Sequence, residues 1–168
     1  NYARAYAWQA CSTATVVQWE PGRYGENWLD TCFDNVTRAM EIDPDDAEVH
    51  RILGAIRMFK REFDASLFHH EKARDLCPSD PYIRFKYATV LIYTGDSEKA
   101  LEEIKAGKRL DPFCPDYLLE DEGICYYWLN KFEESVESFG KLQVPSRNSL
   151  FYLAATYSKK GDTKEAKA

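Results

Sequence analysis

No apolar run approaches the roughly 20 residues that a membrane-spanning helix needs. The most aromatic stretch, Ile124 to Leu129, is far shorter, so no membrane span is expected. Basic residues are in the minority: 22 Lys and Arg stand against 28 Asp and Glu, a net charge of −6. Without a basic face, nucleic acid and anionic membrane surfaces are not expected partners. The five cysteines, Cys11, Cys32, Cys77, Cys114 and Cys125, are odd in number and form no C-x-x-C pair. A disulfide framework or a zinc ribbon is therefore not expected. The expectation is buried free thiols in a reducing, cytoplasmic setting.

Several motifs of chemistry are missing too. There is no H-E-x-x-H, no G-x-S-x-G and no glycine-rich phosphate loop. His69, His70 and Glu71, with His50 nearby in sequence, could suggest a metal. Helical neighbours point about 100° apart, however, so His69 and His70 cannot readily share one ion. The expectation is packing for His70 and no metal site. Asp116, Glu120, Asp121 and Glu122 crowd together, but consecutive helical residues splay to different faces. Near a helix start they complement the dipole rather than form an acid–base pair. Asn35-Val36-Thr37 matches a glycosylation sequon but lies inside an expected helix. No catalytic residue and no cofactor site is expected. The chain begins at Asn1 without an initiator Met or signal-peptide pattern and stops at Ala168 within a helical pattern. It reads as an excised domain of a larger protein.

What the sequence does contain is aromatic side chains and a repeat. Eleven Tyr, nine Phe and four Trp argue against disorder. Three strings set a period: AMEIDPDDAEV at 39–49, ARDLCPSDPYI at 73–83 and GKRLDPFCPDY at 107–117. Ala39, Ala73 and Gly107 recur at intervals of 34, as do Pro44, Pro78 and Pro112. Gly54, Ala88, Gly123 and Ala154 form a second marker, each early in an apolar segment. Turns follow at Lys60-Arg61-Glu62, Thr94-Gly95-Asp96, Asn130-Lys131 and Lys160-Gly161-Asp162. Each unit thus reads as two helices joined by a short turn. Gly95 and Gly161 supply left-handed turn residues. The prolines end the second helix, and neighbouring Asp and Ser side chains cap the next helix.

A 34-residue helix–turn–helix period with small residues at fixed places and proline near its end resembles the tetratricopeptide repeat. The resemblance implies an all-α fold, a right-handed α-α superhelix: a tetratricopeptide-type solenoid of antiparallel helix pairs. On that register residues 1–168 form a single array. Residues 47–80, 81–114 and 116–146 are repeats, and 147–168 is an incomplete final repeat. Residues 1–46 form a divergent first repeat, with helices near Tyr2–Gln18 and Asn27–Ile42 and an inserted loop around 20–25. The run from Ala47 to Ala88 also resembles repeat regions attached to bacterial class III adenylate or guanylate cyclases. No cyclase catalytic segment is present.

The resemblance further implies a concave groove lined by the first helix of each unit. Carried onto this sequence, its protein-binding residues are Arg51, Met58, Phe59, Tyr82, Phe85, Thr89, Tyr93, Glu120, Tyr127 and Trp128. The groove is mostly apolar and aromatic. It either holds a peptide or helical segment of a partner or is sealed by a neighbouring segment. The Lys and Asn that clamp a chaperone's C-terminal carboxylate in some members are absent, so that ligand is not expected. The expected role is a non-catalytic interaction scaffold, a regulatory part of a larger bacterial signalling protein such as a nucleotide cyclase. The alternative is self-association into a homo-oligomer through end faces, with Leu150, Phe151 and Tyr157 as contacts.

Overall fold

A few side chains decide where each helix begins and ends. The computed structural model describes residues 2–113 and 115–162, and every regular element among them is helical. They are α1 (Ala3–Trp19), α2 (Trp28–Ile42), α3 (Ala47–Phe59), α4 (Phe63–Leu76), α5 (Pro81–Thr94), α6 (Ser97–Leu110), α7 (Tyr117–Trp128), α8 (Phe132–Gly140) and α9 (Arg147–Lys160). Asp46 starts α3 by accepting from the backbone N–H groups of Glu48 and Val49 at 2.8 and 3.1 Å. Asp80 does the same for α5 through Tyr82 and Ile83. Asp96 caps α6 through Lys99, and Ser146 caps α9 through Ser149. Each cap satisfies a donor with no partner inside the helix and contributes about 1 kcal/mol. Pro44, Pro78 and Pro112 stand two residues beyond the ends of α2, α4 and α6, where the missing N–H and fixed φ prevent continuation.

The turns share one geometry. Arg61, Gly95, Asn130 and Gly161 all have positive φ, at 61°, 92°, 58° and 82°. In each case the next N–H reaches back five residues. Glu62 donates to Arg57, Asp96 to Leu91, Lys131 to Tyr126 and Asp162 to Tyr157, at 2.8–3.0 Å. This is the Schellman closure of a helix. The expected glycines occupy two of the four positions. At the other two, a side chain sits where L-residues are strained.

A division inside α5 separates two compact units, Asn1–Val90 and Leu91–Ala168. In the first, α1 pairs with α2, α3 packs on both, and α4 pairs with α3. Ala3, Ala7, Ala10 and Ala14 form a fully buried stripe on α1. Their small size lets α2 approach closely, and the Cys32 thiol donates to the Ala10 carbonyl at 3.4 Å. Val36, Val49, Ile52 and Ile56 complete this core. In the second unit α7 pairs with α8 and packs on α6 and α9. Here the Ser135 hydroxyl donates to the Gly123 carbonyl at 2.8 Å and lies 3.2 Å from the Thr156 hydroxyl. Thr156 donates in turn to Tyr152 O at 2.7 Å. Buried hydroxyls thus tie three helices together without an orphaned partner.

Within each of two pairs, a glycine of the first helix faces a bulky side chain of the second. A Cβ on Gly54 would lie 2.3 Å from His70 Nδ1, and one on Gly123 would lie 2.6 Å from Phe139 Cε1. The pairs α3–α4 and α7–α8 fall within residues 47–80 and 116–146, and the spans of α5 and α6 lie within 81–114. α8 is short, and Gln143 to Ser146 lead directly into the cap of α9. The expected incompleteness of the final repeat concerns residues 163–168, which lie outside the described residues.

Replacing Arg61, whose φ is 61°, by glycine removes left-handed strain. Arg61→Gly is expected to raise stability by about 0.5–1 kcal/mol in denaturant unfolding. A loss of stability would show that the arginine side chain contributes more than its backbone costs.

Candidate functional site

In the first unit, the charge chemistry centres on Arg51. Its Nε and an Nη both donate to Glu48, at 2.7 Å each. The guanidinium lies over two rings, 5.0 Å from the Tyr82 centroid and 5.8 Å from Trp8. Burial alone would lower the Arg51 pKa, but the hydrogen bond and charge of Glu48 outweigh it, so the net shift is upward. Arg51 was expected to face a partner. At 2% exposure it is instead a buried strut between α1, α3 and α5. Phe85 needs the same correction. It too is 2% exposed, a core residue of the first unit, because α5 turns this face inward. Thr89 is half-buried and donates to Phe85 O. Met58 is half-buried as well. Phe59 stays partly open, edge-on to Trp28 at 5.6 Å. Tyr82 is exposed on the rim of a hollow of about 310 Å³ that Arg4, Trp8 and Glu48 also line.

In the second unit two of the expected groove residues stay open. Tyr93 is 69% exposed and Trp128 is 57% exposed. Both line a hollow of about 740 Å³ together with Glu120, Ile124, Asn148 and Tyr152. Tyr127 packs beside it, edge-on to Trp128 and to Tyr152 at 5.4 Å each. Trp128 and Tyr152 centroids are 6.4 Å apart. Glu120 is held by neutral donors, the Ser146 hydroxyl at 2.6 Å and the Asn148 amide at 3.1 Å. Burial, the Asp121 charge, Tyr152 and the Glu120 charge together raise the Tyr93 pKa, so its phenol stays protonated. Of the expected residues, the structure brings Tyr93, Glu120 and Trp128 to one hollow in this unit.

Three contributors were not anticipated. Trp8 lies on the divergent first helix, where no register predicts a ring against Arg51. Asn148 and Tyr152 lie on α9. Extending the register into the unit that starts at residue 147 would have placed Asn148 at the equivalent of Tyr82.

The histidines do form contacts, but structural ones. His50 Nε2 donates to Pro44 O at 2.9 Å, and His50 Nδ1 lies 3.0 Å from His69 Nδ1. A carbonyl only accepts, so the His50 proton sits on Nε2 and His69 Nδ1 donates to His50. His70 Nδ1 donates to Ser66 O at 2.9 Å. Among the described residues no group of three potential ligands converges on one point. Cys125 is buried, and that burial, with Asp121 and Glu122, pushes its thiol up to about 12. It is a packed thiol and not a nucleophile.

No known family profile matches the sequence, and no curated protein is similar enough to count as a relative. Solved structures are similar in fold. PilW, a widely conserved type IV pilus biogenesis factor, aligns with a TM-score of 0.83 at 14% identity, over 98% of this chain and 72% of its own. Pseudomonas aeruginosa PilF aligns at 0.77 and 17%, over 98% and 72%. YrrB, a TPR protein with an unusual peptide-binding site, aligns at 0.69 and 18%, over 96% and 79%. At such identities the likeness shows the fold: an all-α, tetratricopeptide-type array of helix pairs.

The buried histidines make stability sensitive to acid. Burial is the largest cause that lowers His70 to about 4 from its ordinary 6.5, and Arg51, His69 and Lys86 add to it. Burial, His50 and Arg57 lower His69 likewise. An unfolded chain takes up protons below about pH 6.5 that the folded chain refuses until pH 4. The stabilisation from neutral His70 is therefore complete above pH 6.5 and falls away towards pH 4, by on the order of 2–3 kcal/mol. Unfolding midpoints measured from pH 7 to 4.5 should fall, and His70→Leu should flatten that slope. An unchanged slope in the variant would contradict the assignment.

Proposed function

We propose that this chain is a non-catalytic scaffold that holds a peptide or helical segment of a partner protein. The observation that carries the reading is the open, aromatic-walled hollow of the second unit, where Tyr93 and Trp128 stay largely exposed. Large aromatic side chains left uncovered beside a concavity are the usual anchors of protein recognition. The fold supports the same reading, since YrrB is a TPR protein with a peptide-binding site. On the first unit, Tyr82 and Phe59 offer smaller partly exposed contacts, with Met58 and Thr89 beside them. Arg51 and Phe85 act through the core. The groups best suited to chemistry are committed to packing: His50, His69 and His70 to one another and to carbonyls, Cys125 to the interior.

A second reading, self-association of the parent protein, is favoured by Leu150 and Phe151, which are more than half exposed on α9. Attachment to a bacterial nucleotide cyclase rests on the sequence resemblance over Ala47 to Ala88.

Peptides selected by display against the full chain provide the test. Trp128→Ala combined with Tyr93→Ala should weaken the best of them by about tenfold or more, with the helical circular dichroism unchanged. Unchanged affinity would overturn the assignment of the hollow. Phe85→Ala is not a substitute: emptying a 2% exposed core site should destabilise the fold by about 3–5 kcal/mol, seen as a lower unfolding midpoint.

A further inference from the structure

The hollow of the second unit has a distinctive mix of linings. Its rings are Tyr93, Trp128 and Tyr152, and its charged groups are Asp96, Glu98, Glu120 and Asp121. Among the described residues no Lys or Arg lines it. The mixture is selective. A purely apolar anchor such as Leu would desolvate the Glu120 carboxylate without offering it an opposite charge, which costs free energy. An acidic side chain would meet like charge. A basic side chain satisfies both parts of the wall. Its carbon stem or guanidinium plane lies on aromatic faces, and its head pairs with carboxylates.

Glu120 is set up for this. Ser146 and Asn148 orient its two oxygens without neutralising them, because both donors are uncharged. Outside the hollow, Glu122 pairs with Lys108, Glu133 with Lys160 and Glu137 with Lys141. Burial first, and then the Asp121 and Glu120 charges, raise the Tyr93 pKa. The volume, about 740 Å³, exceeds what one long side chain occupies and leaves room for neighbouring residues of a segment. The net charge of −6 favours approach of a cationic segment at longer range.

We infer that this hollow recognises an arginine- or lysine-bearing peptide segment of a partner protein, with Trp128, Tyr93 and Tyr152 stacking on the basic side chain and Glu120 pairing with its head. The inference rests on the reading of the hollow as a docking site and adds the chemistry of its occupant. Arginine is the preferred residue, since its flat guanidinium both stacks and offers paired donors.

The test uses the full chain and four acetylated dodecapeptides with one Gly/Ser frame, carrying three Arg, three Gln, three Glu or three Leu. Binding is followed by titration at low salt, with the Trp128 indole N–H resonance reporting on place. The Arg peptide should bind about tenfold more tightly than the Gln peptide, the sum of one exposed ion pair and one stacked cation. It should also shift the Trp128 signal. Glu120→Gln keeps the oxygen that accepts from Ser146 or Asn148 and should abolish most of the Arg preference. Glu137→Gln removes the same charge at an exposed site far along α8 and should leave the preference unchanged, which separates local pairing from net charge. Equal loss in both variants, or an Arg peptide that leaves Trp128 unmoved, overturns the inference. If the Leu peptide binds best and shifts Trp128, the docking reading survives and the cationic occupant does not. If no peptide moves Trp128 and sedimentation shows a concentration-dependent dimer that Trp128→Ala disperses, a second copy is the occupant and the inference falls.

Discussion

Everything in this fold depends on how closely paired helices can approach. At Gly54 and Gly123 the backbone of the first helix meets the side chain of the second, His70 or Phe139, where even one added carbon would overlap. The alanine stripe of α1 plays the same part against α2. Close approach lets large side chains such as Ile52, Leu118 and Phe139 be buried in the interior. It also forces polar groups in the seam to find partners locally. His70 Nδ1 donates a hydrogen bond to the Ser66 carbonyl, and the Ser135 hydroxyl donates one to the Gly123 carbonyl. The acid sensitivity and the hydroxyl network are both consequences of the same tight seam.

The seam also decides what is left over for a partner. Once a first helix has committed its small face to its mate, one remaining stripe packs on the next helix and another stays open. On α3 the packed stripe takes Arg51, sandwiched by Trp8 and Tyr82 and held by Glu48. On α7 the open stripe carries Glu120 and Trp128, and α9 closes the hollow from the side with Asn148 and Tyr152. The two units therefore offer different surfaces although their helix pairs follow one plan. The first buries Arg51 between rings, whereas the second leaves Trp128 and Tyr93 open beside the carboxylates of its hollow.

Much of the plan was legible in the sequence, for reasons that are local. Pro44, Pro78 and Pro112 end helices by covalent geometry, Asp46 and Asp80 cap them by short-range hydrogen bonds, and Gly95 and Gly161 take positive φ. Arg61 and Asn130 adopt the same turn without the glycine that announces it, so their strain was invisible. The site was read less well. Register places Arg51 and Phe85 on the same face as Tyr93 and Trp128, yet burial depends on which neighbour covers each stripe. Trp8 covers Arg51 from a helix whose spacing departs from the repeat, and no periodicity predicts that. The pairing of His50 with His69 was missed because it joins two helices, whereas helical geometry was applied to His69 and His70 alone.

The central claim, that the contact between a small residue and a bulky one sets the pairing, can be tested with a double-mutant cycle at Gly123 and Phe139. Gly123→Ala alone should cost about 1–3 kcal/mol despite alanine's better helix propensity, because the new carbon overlaps the ring. Phe139→Leu removes the Cε1 and Cζ atoms nearest that carbon. In the Phe139→Leu background, where only a Cδ atom remains beside that carbon, the same Gly123→Ala change should cost less, with a coupling of at least about 1 kcal/mol. Additive effects of the two substitutions would contradict the account.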